Sequence, residues 1–108
     1  GNYIQWFEKG NSIDTKGKYR RGHQNGEWVY FYETGVINRI QHFKNGKLSG
    51  KSLSYYTNSR LQSECNYKIM TERRKGKVQS VPHGLWLFYD KSGKEINRIT
   101  YENGQKKK

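Results

Sequence analysis

Three histidines, one cysteine and nine Asp or Glu residues are the side chains of this chain with reactive or metal-binding chemistry to offer. His23, His42, His83 and Cys65 are the types that ligate zinc, and a cysteine beside a histidine is the pairing behind a thiolate nucleophile. Their spacing serves neither use. No two histidines stand at a ligand-pair interval, so a zinc site of two histidines with Cys65 would have to be assembled by the fold alone. A single cysteine permits no internal disulfide and no multi-cysteine zinc site. Among the acids, Glu33 and Asp90 fall in polar turns and Asp14 and Glu64 on strands, and no pair is set up for proton transfer. The glycines recur as turn punctuation and never as a phosphate-cradling loop. The expectation is a non-enzymatic chain with no cofactor, no metal site and no small-molecule substrate.

What the chain does offer is positive charge. Its 21 Lys and Arg against nine acids leave a net +12. An excess of this size predicts attraction to an acidic protein, a lipid surface or a nucleic acid. Apolar residues make up only 31%, and aromatic residues supply about half of that, at 15%. No apolar run approaches the roughly 20 residues that a membrane-spanning helix needs. The chain opens on Gly1 rather than Met, as a trimmed chain would, and its lone thiol suits any compartment. The bacterial cytoplasm and the cell envelope both fit, so the sequence assigns no location.

The elements that must carry this charge follow from a period. Tyr19, Phe43 and Tyr67 are spaced by 24 residues, as are Gly22 and Gly46, Gly26 and Gly50, and Tyr32 and Tyr56. "INRI" occurs at Ile37–Ile40 and again at Ile96–Ile99. A fixed period with glycine columns marks stacked repeats. Four units result, about 2–25, 26–49, 50–83 and 84–108, forming a single repeat domain over 1–108. Each holds an aromatic strand such as "WVYFY" (Trp28–Tyr32), a polar turn, a second strand and a glycine turn. Asn45-Gly46 and Asn103-Gly104 are strong hairpin signals. The third unit departs from the pattern. Ser52 and Ser54 stand where the second unit has Trp28 and Tyr30, and "KIMTERRKGKVQSVP" (Lys68–Pro82) replaces the glycine turn with a long loop over 68–82. Helix is not expected, because no stretch keeps a 3.6-residue period.

Gly26, Trp28, Tyr32, Gly35, Phe43, Asn45, Gly46 and Gly50 resemble the MORN repeat, and Gly84, Trp86, Tyr89, Gly93, Tyr101, Asn103 and Gly104 match it again. The pattern is most similar to the bacterial variant labelled an antitoxin family. The resemblance implies an all-β fold, an extended twisted antiparallel sheet of successive β-hairpins. It also implies a non-enzymatic role in protein–protein interaction, antitoxin-like or as a scaffold.

In such a sheet the glycine turns and the polar turns lie on opposite edges. Nearly all the excess charge belongs to the glycine-turn edge, and the polar turns carry none of it. The candidate anion- or partner-binding edge is Arg20, Arg21, Lys44, Lys47, Lys68, Arg73, Arg74, Lys75 and Lys77. Trp28, Tyr30 and Trp86 form the candidate aromatic surface, because a one-layer sheet cannot cover both of its faces with itself. The expected partner is a protein, acidic in character. The alternative is an anionic surface: phospholipid, nucleic acid or another polyanion. Generic solvation of exposed turns by lysine competes with both.

Overall fold

The computed structural model describes residues 1–8, 12–72, 74 and 76–107. Eleven strands form in it: β1 (Asn2–Trp6), β2 (Ile13–Arg20), β3 (His23–Phe31), β4 (Ile37–Lys44), β5 (Lys47–Leu48), β6 (Gly50–Tyr55), β7 (Leu61–Glu72), β8 (Lys77–Pro82), β9 (Gly84–Tyr89), β10 (Glu95–Glu102) and β11 (Gln105–Lys106). They make one sheet in the order β1-β2-β3-β4-β6-β7-β9-β10-β11, with β5 beside β4 and β8 beside β7. The sheet is open and antiparallel, as the family resemblance implied. It measures 49 × 40 × 16 Å, so it is one layer thick.

Backbone chemistry at the turns explains why the hairpins close where they do. Arg21-Gly22, Asn45-Gly46 and Asn103-Gly104 all hold positive φ at both central residues, at 52° and 81°, 50° and 83°, and 51° and 94°. That is the two-residue turn whose twist matches the flanking strands. The polar turns repeat a second geometry. In each, the first residue donates to a carbonyl four positions on, as in Tyr32 to Val36, Tyr56 to Arg60 and Asp90 to Lys94, at 2.8–2.9 Å. The fourth residue is left-handed: Gly35, Ser59 and Gly93, at φ 92°, 69° and 94°.

Residues 68–82 correct the sequence expectation of a long loop. β7 runs on to Glu72 and β8 pairs with it from Tyr67↔Pro82 to Glu72↔Lys77. The segment is a two-stranded extension of the sheet. Its β-branched residues, Ile69, Thr71, Val78 and Val81, suit a pleated surface, and that preference outweighs the absence of an Asn-Gly turn.

The rings pack in two clusters, each built around a tryptophan. Trp28 is the hub of the first cluster. Tyr3 stacks on it at 5.4 Å, and Tyr19 and Phe43 meet it edge-on at 5.1 and 6.3 Å. Trp86 holds Tyr67 and Tyr101 at 5.3 and 4.9 Å in the second. Contacts run between columns because hydrogen-bonded strands offset equivalent residues, and edge-on approach suits the ring quadrupoles. Ser52 separates the clusters. It is buried, lies opposite buried Cys65, and its hydroxyl has no partner among the described residues.

Gly17 is what lets Trp28 lie flat. A Cβ there would fall 2.1 Å from the indole Cδ2. Gly17→Ala is therefore expected to cost roughly 2–3 kcal/mol, as overpacking does. Chemical denaturation, with tryptophan fluorescence reporting on Trp28, measures it. Ser59 holds a left-handed conformation in which its two counterparts are glycine. Ser59→Gly relieves that strain and should raise the thermal midpoint by a few degrees, about 0.5–1 kcal/mol. Differential scanning calorimetry checks this.

Candidate functional site

Antiparallel pairing puts the turns after β2, β4 and β10, and the β7–β8 hairpin, at one edge of the sheet. Arg20 closes β2 and Arg21 sits in the turn behind it. Lys44 ends β4 and Lys47 begins β5, and the two are Cα partners directly across the Asn45-Gly46 turn. Like charges placed opposite each other repel, so this turn holds two ammonium groups at an energetic cost. Lys68 lies on β7, Lys77 starts β8, and Arg74 is exposed at the hairpin tip. Arg73 and Lys75 lie outside the described residues.

Seven cationic groups of this edge form no ion pair among the described residues, and the turn after β10 pairs Lys107 with Glu102. Among the described residues, the ion pairs are Lys51–Glu64, Arg98–Glu95 and Lys107–Glu102, and the His42 ring lies 3.7 Å from the Glu27 carboxylate. None involves Arg20, Arg21, Lys44, Lys47, Lys68, Arg74 or Lys77.

The opposite edge is stitched together. Tyr32 donates its hydroxyl to the Tyr55 carbonyl at 2.6 Å, and Tyr56 to that of Tyr89 at 2.8 Å. Asn58 and Arg60 donate to the carbonyls of Lys91 and Ser92 in the next turn. Asp90 stands where the previous units have these tyrosines. It accepts from the Ser92 hydroxyl and from the Ser92 and Lys94 amides, which hold its carboxyl below the usual range.

The three candidate aromatics do not form one open surface. Trp28 is 2% exposed, and its indole donates to the Lys18 carbonyl at 3.0 Å. Its assignment to a surface is corrected: Tyr3, from the short first strand, covers it. Trp86 is half-buried and donates to the Asn66 carbonyl at 2.9 Å. Tyr30 is half-buried beneath the Arg39 guanidinium, 5.1 Å from its ring centroid.

Sequence reasoning missed a cleft. Between the Asn45-Gly46 turn and the β7–β8 hairpin lies a cavity of about 450 Å³, lined by Lys44, Asn45, Lys47, Ile69 and Val78. Reading 68–82 as a loop hid its second wall. The alternation of Ile69 and Thr71 against Val78 and Ser80 was the available signal. A larger cavity, of about 610 Å³, is floored by Ile4 and Val29 near β1 and mixes Lys16 and Lys18 with Glu27. Among the described residues, no group of three or more His, Cys, Asp or Glu is placed to hold a metal ion. Cys65 is buried, and burial pushes its thiol up, with Glu64 adding to the effect and a hydrogen bond with Ser63 opposing it.

A family model described as the MORN repeat variant matches residues 24–45, 48–68 and 82–103. No curated protein and no solved structure gives a match.

The raised Cys65 thiol sets a testable pH dependence. A higher proton affinity in the fold keeps it neutral to higher pH than in the unfolded chain, and only the thiolate attacks a disulfide reagent. At pH 8 the folded protein should react more slowly than the denatured chain, with its reactivity rising at higher pH. Stopped-flow absorbance with an aromatic disulfide measures both.

Proposed function

This chain belongs to the MORN repeat variant family, and on that footing we propose that it is a non-enzymatic interaction module whose basic edge docks an acidic protein partner. MORN repeats commonly serve in binding and scaffolding. The observation that carries the reading is the contrast between the edges. The polar turns spend their donors on one another, whereas Arg20, Arg21, Lys44, Lys47, Lys68, Arg74 and Lys77 form no ion pair among the described residues. Side chains kept only for solubility would not need to be gathered on one edge. Paired across a turn, Lys44 and Lys47 even cost stability. In its narrower form the reading makes the module antitoxin-like, with a toxin or effector as the acidic partner.

A second reading is favoured by the spacing. Successive basic turns are separated by two strands, about 9–10 Å. That interval lets them follow the charges of a nucleic acid, another polyanion or an anionic lipid surface. Binding of this kind weakens steeply with salt.

One set of variants separates the readings. Lys44→Glu, Lys47→Glu and Arg74→Glu are combined, and the wild-type protein is used to recover partners from its native host. Docking of an acidic protein predicts one stoichiometric partner that the triple variant loses. If no stoichiometric partner is recovered, the reading is wrong. Loss of binding to heparin, DNA or anionic liposomes in the variant supports the second reading, and unchanged binding removes it.

A further inference from the structure

The inserted hairpin does more than lengthen an edge. In the second and fourth units the turn glycine reaches back to the preceding unit. Gly46 donates its amide to the Gln24 carbonyl and Gly104 to the Pro82 carbonyl, each at 2.9 Å. Leu48 holds the position equivalent to Gln24 one period on. Its carbonyl is taken instead by the Ser80 hydroxyl of the hairpin, at 2.7 Å. The hairpin thus makes the inter-unit contact through a side chain on its second strand. β7 then runs four residues past the level at which β2 ends, about 14 Å at the usual rise.

That projection faces the Asn45-Gly46 turn across the 450 Å³ cleft. The two walls differ in chemistry. One is Lys44 and Lys47, opposed across their turn. The other is Ile69 and Val78, with Val78 41% exposed. An apolar wall beside two lysines without a carboxylate partner among the described residues is complementary to an apolar side chain flanked by carboxylates. The volume lies within the range of clefts that enclose small ligands.

We propose that this cleft is the specificity pocket of the basic edge: it takes one large apolar side chain of an acidic segment of a partner protein, seated on Ile69 and Val78, with the flanking carboxylates on Lys44 and Lys47. The proposal rests on the acidic-protein reading given above and adds to it the residue that selects the partner. The rest of the edge steers the partner in, each exposed charge pair adding little affinity of its own.

The test uses two synthetic peptides, each a short run of Asp and Glu, one with a central phenylalanine and its twin with alanine there. Binding is followed through the methyl resonances of Ile69 and Val78, with Ile13 and Ile37 as distant references. The phenylalanine peptide should move the Ile69 and Val78 signals and bind about tenfold more tightly than its twin, the order expected for burying one large apolar side chain. Val78→Ala, at an exposed site that tolerates the change, should shrink that preference at least threefold. Equal binding of the two peptides, with Ile69 and Val78 unmoved, overturns the pocket and leaves the acidic-partner reading standing. Failure of both peptides and of polyglutamate to bind at low salt overturns that reading as well. Vesicles of phosphatidylserine that move the same methyls when the peptides do not would overturn the proposal in favour of lipid.

Discussion

A sheet one layer thick has nothing packed against it, and this constraint governs the molecule. Among the described residues, only Trp28, Val29 and Cys65 are buried apolar side chains. Burial on that scale does not hold several hairpins in register by itself. The deficit is met by aromatic side chains whose polar tips bond to backbone of another strand. Trp28 and Trp86 donate their indoles to the carbonyls of Lys18 and Asn66, and Tyr32 and Tyr56 their hydroxyls to those of Tyr55 and Tyr89. In each case a polar tip ties an otherwise apolar ring to the backbone, a combination that Trp and Tyr provide. The low aliphatic content of the chain and its high aromatic content are therefore two sides of one solution.

The same constraint separates the two edges. Where tyrosines and turn residues reach across to the next unit, the polar groups are consumed by the architecture. At the glycine turns the positive-φ backbone closes the hairpin, with one side-chain contact among the described residues, the Asn103 amide donating to the His83 ring nitrogen. Arg20, Lys44 and Lys47 flank two of those turns. Charge accumulates where the fold asks nothing of the side chain, and an interaction function is available there without loss of order.

The period of 24 residues and the Asn-Gly turns were enough to read the strands and hairpins, because backbone rules at positive φ leave few alternatives for Asn45-Gly46 and Asn103-Gly104, and the family resemblance supplied the sheet. The placement of basic turns on one edge followed from the alternation of turns alone. What the sequence hid was how the rings sit. Repeat position aligns Trp28 with Trp86, but it does not say that Tyr3 closes over one of them. Gly17 was the clue. It is a strand glycine with no turn to make, and such a residue marks a close approach by something bulky. The 68–82 segment was misread for a related reason. Its length and charge suggest a loop, while its β-branched alternation, spread over two short strands, is weak until the pairing Ile69↔Ser80 and Thr71↔Val78 is seen.

Gly17 has one more implication. The residue two before each aromatic of the second strands is Gly17, Gln41, Cys65 and Ile99 in turn. Gly17 precedes a unit that carries tryptophan at the matching place, Gln41 precedes one that carries Ser52, and Cys65 precedes one that carries Trp86. Small stands before large and large before small. The units are therefore not interchangeable cassettes. Duplicating or reordering them would set an indole over a glutamine side chain, so volume matching across each joint fixes their sequence along the array.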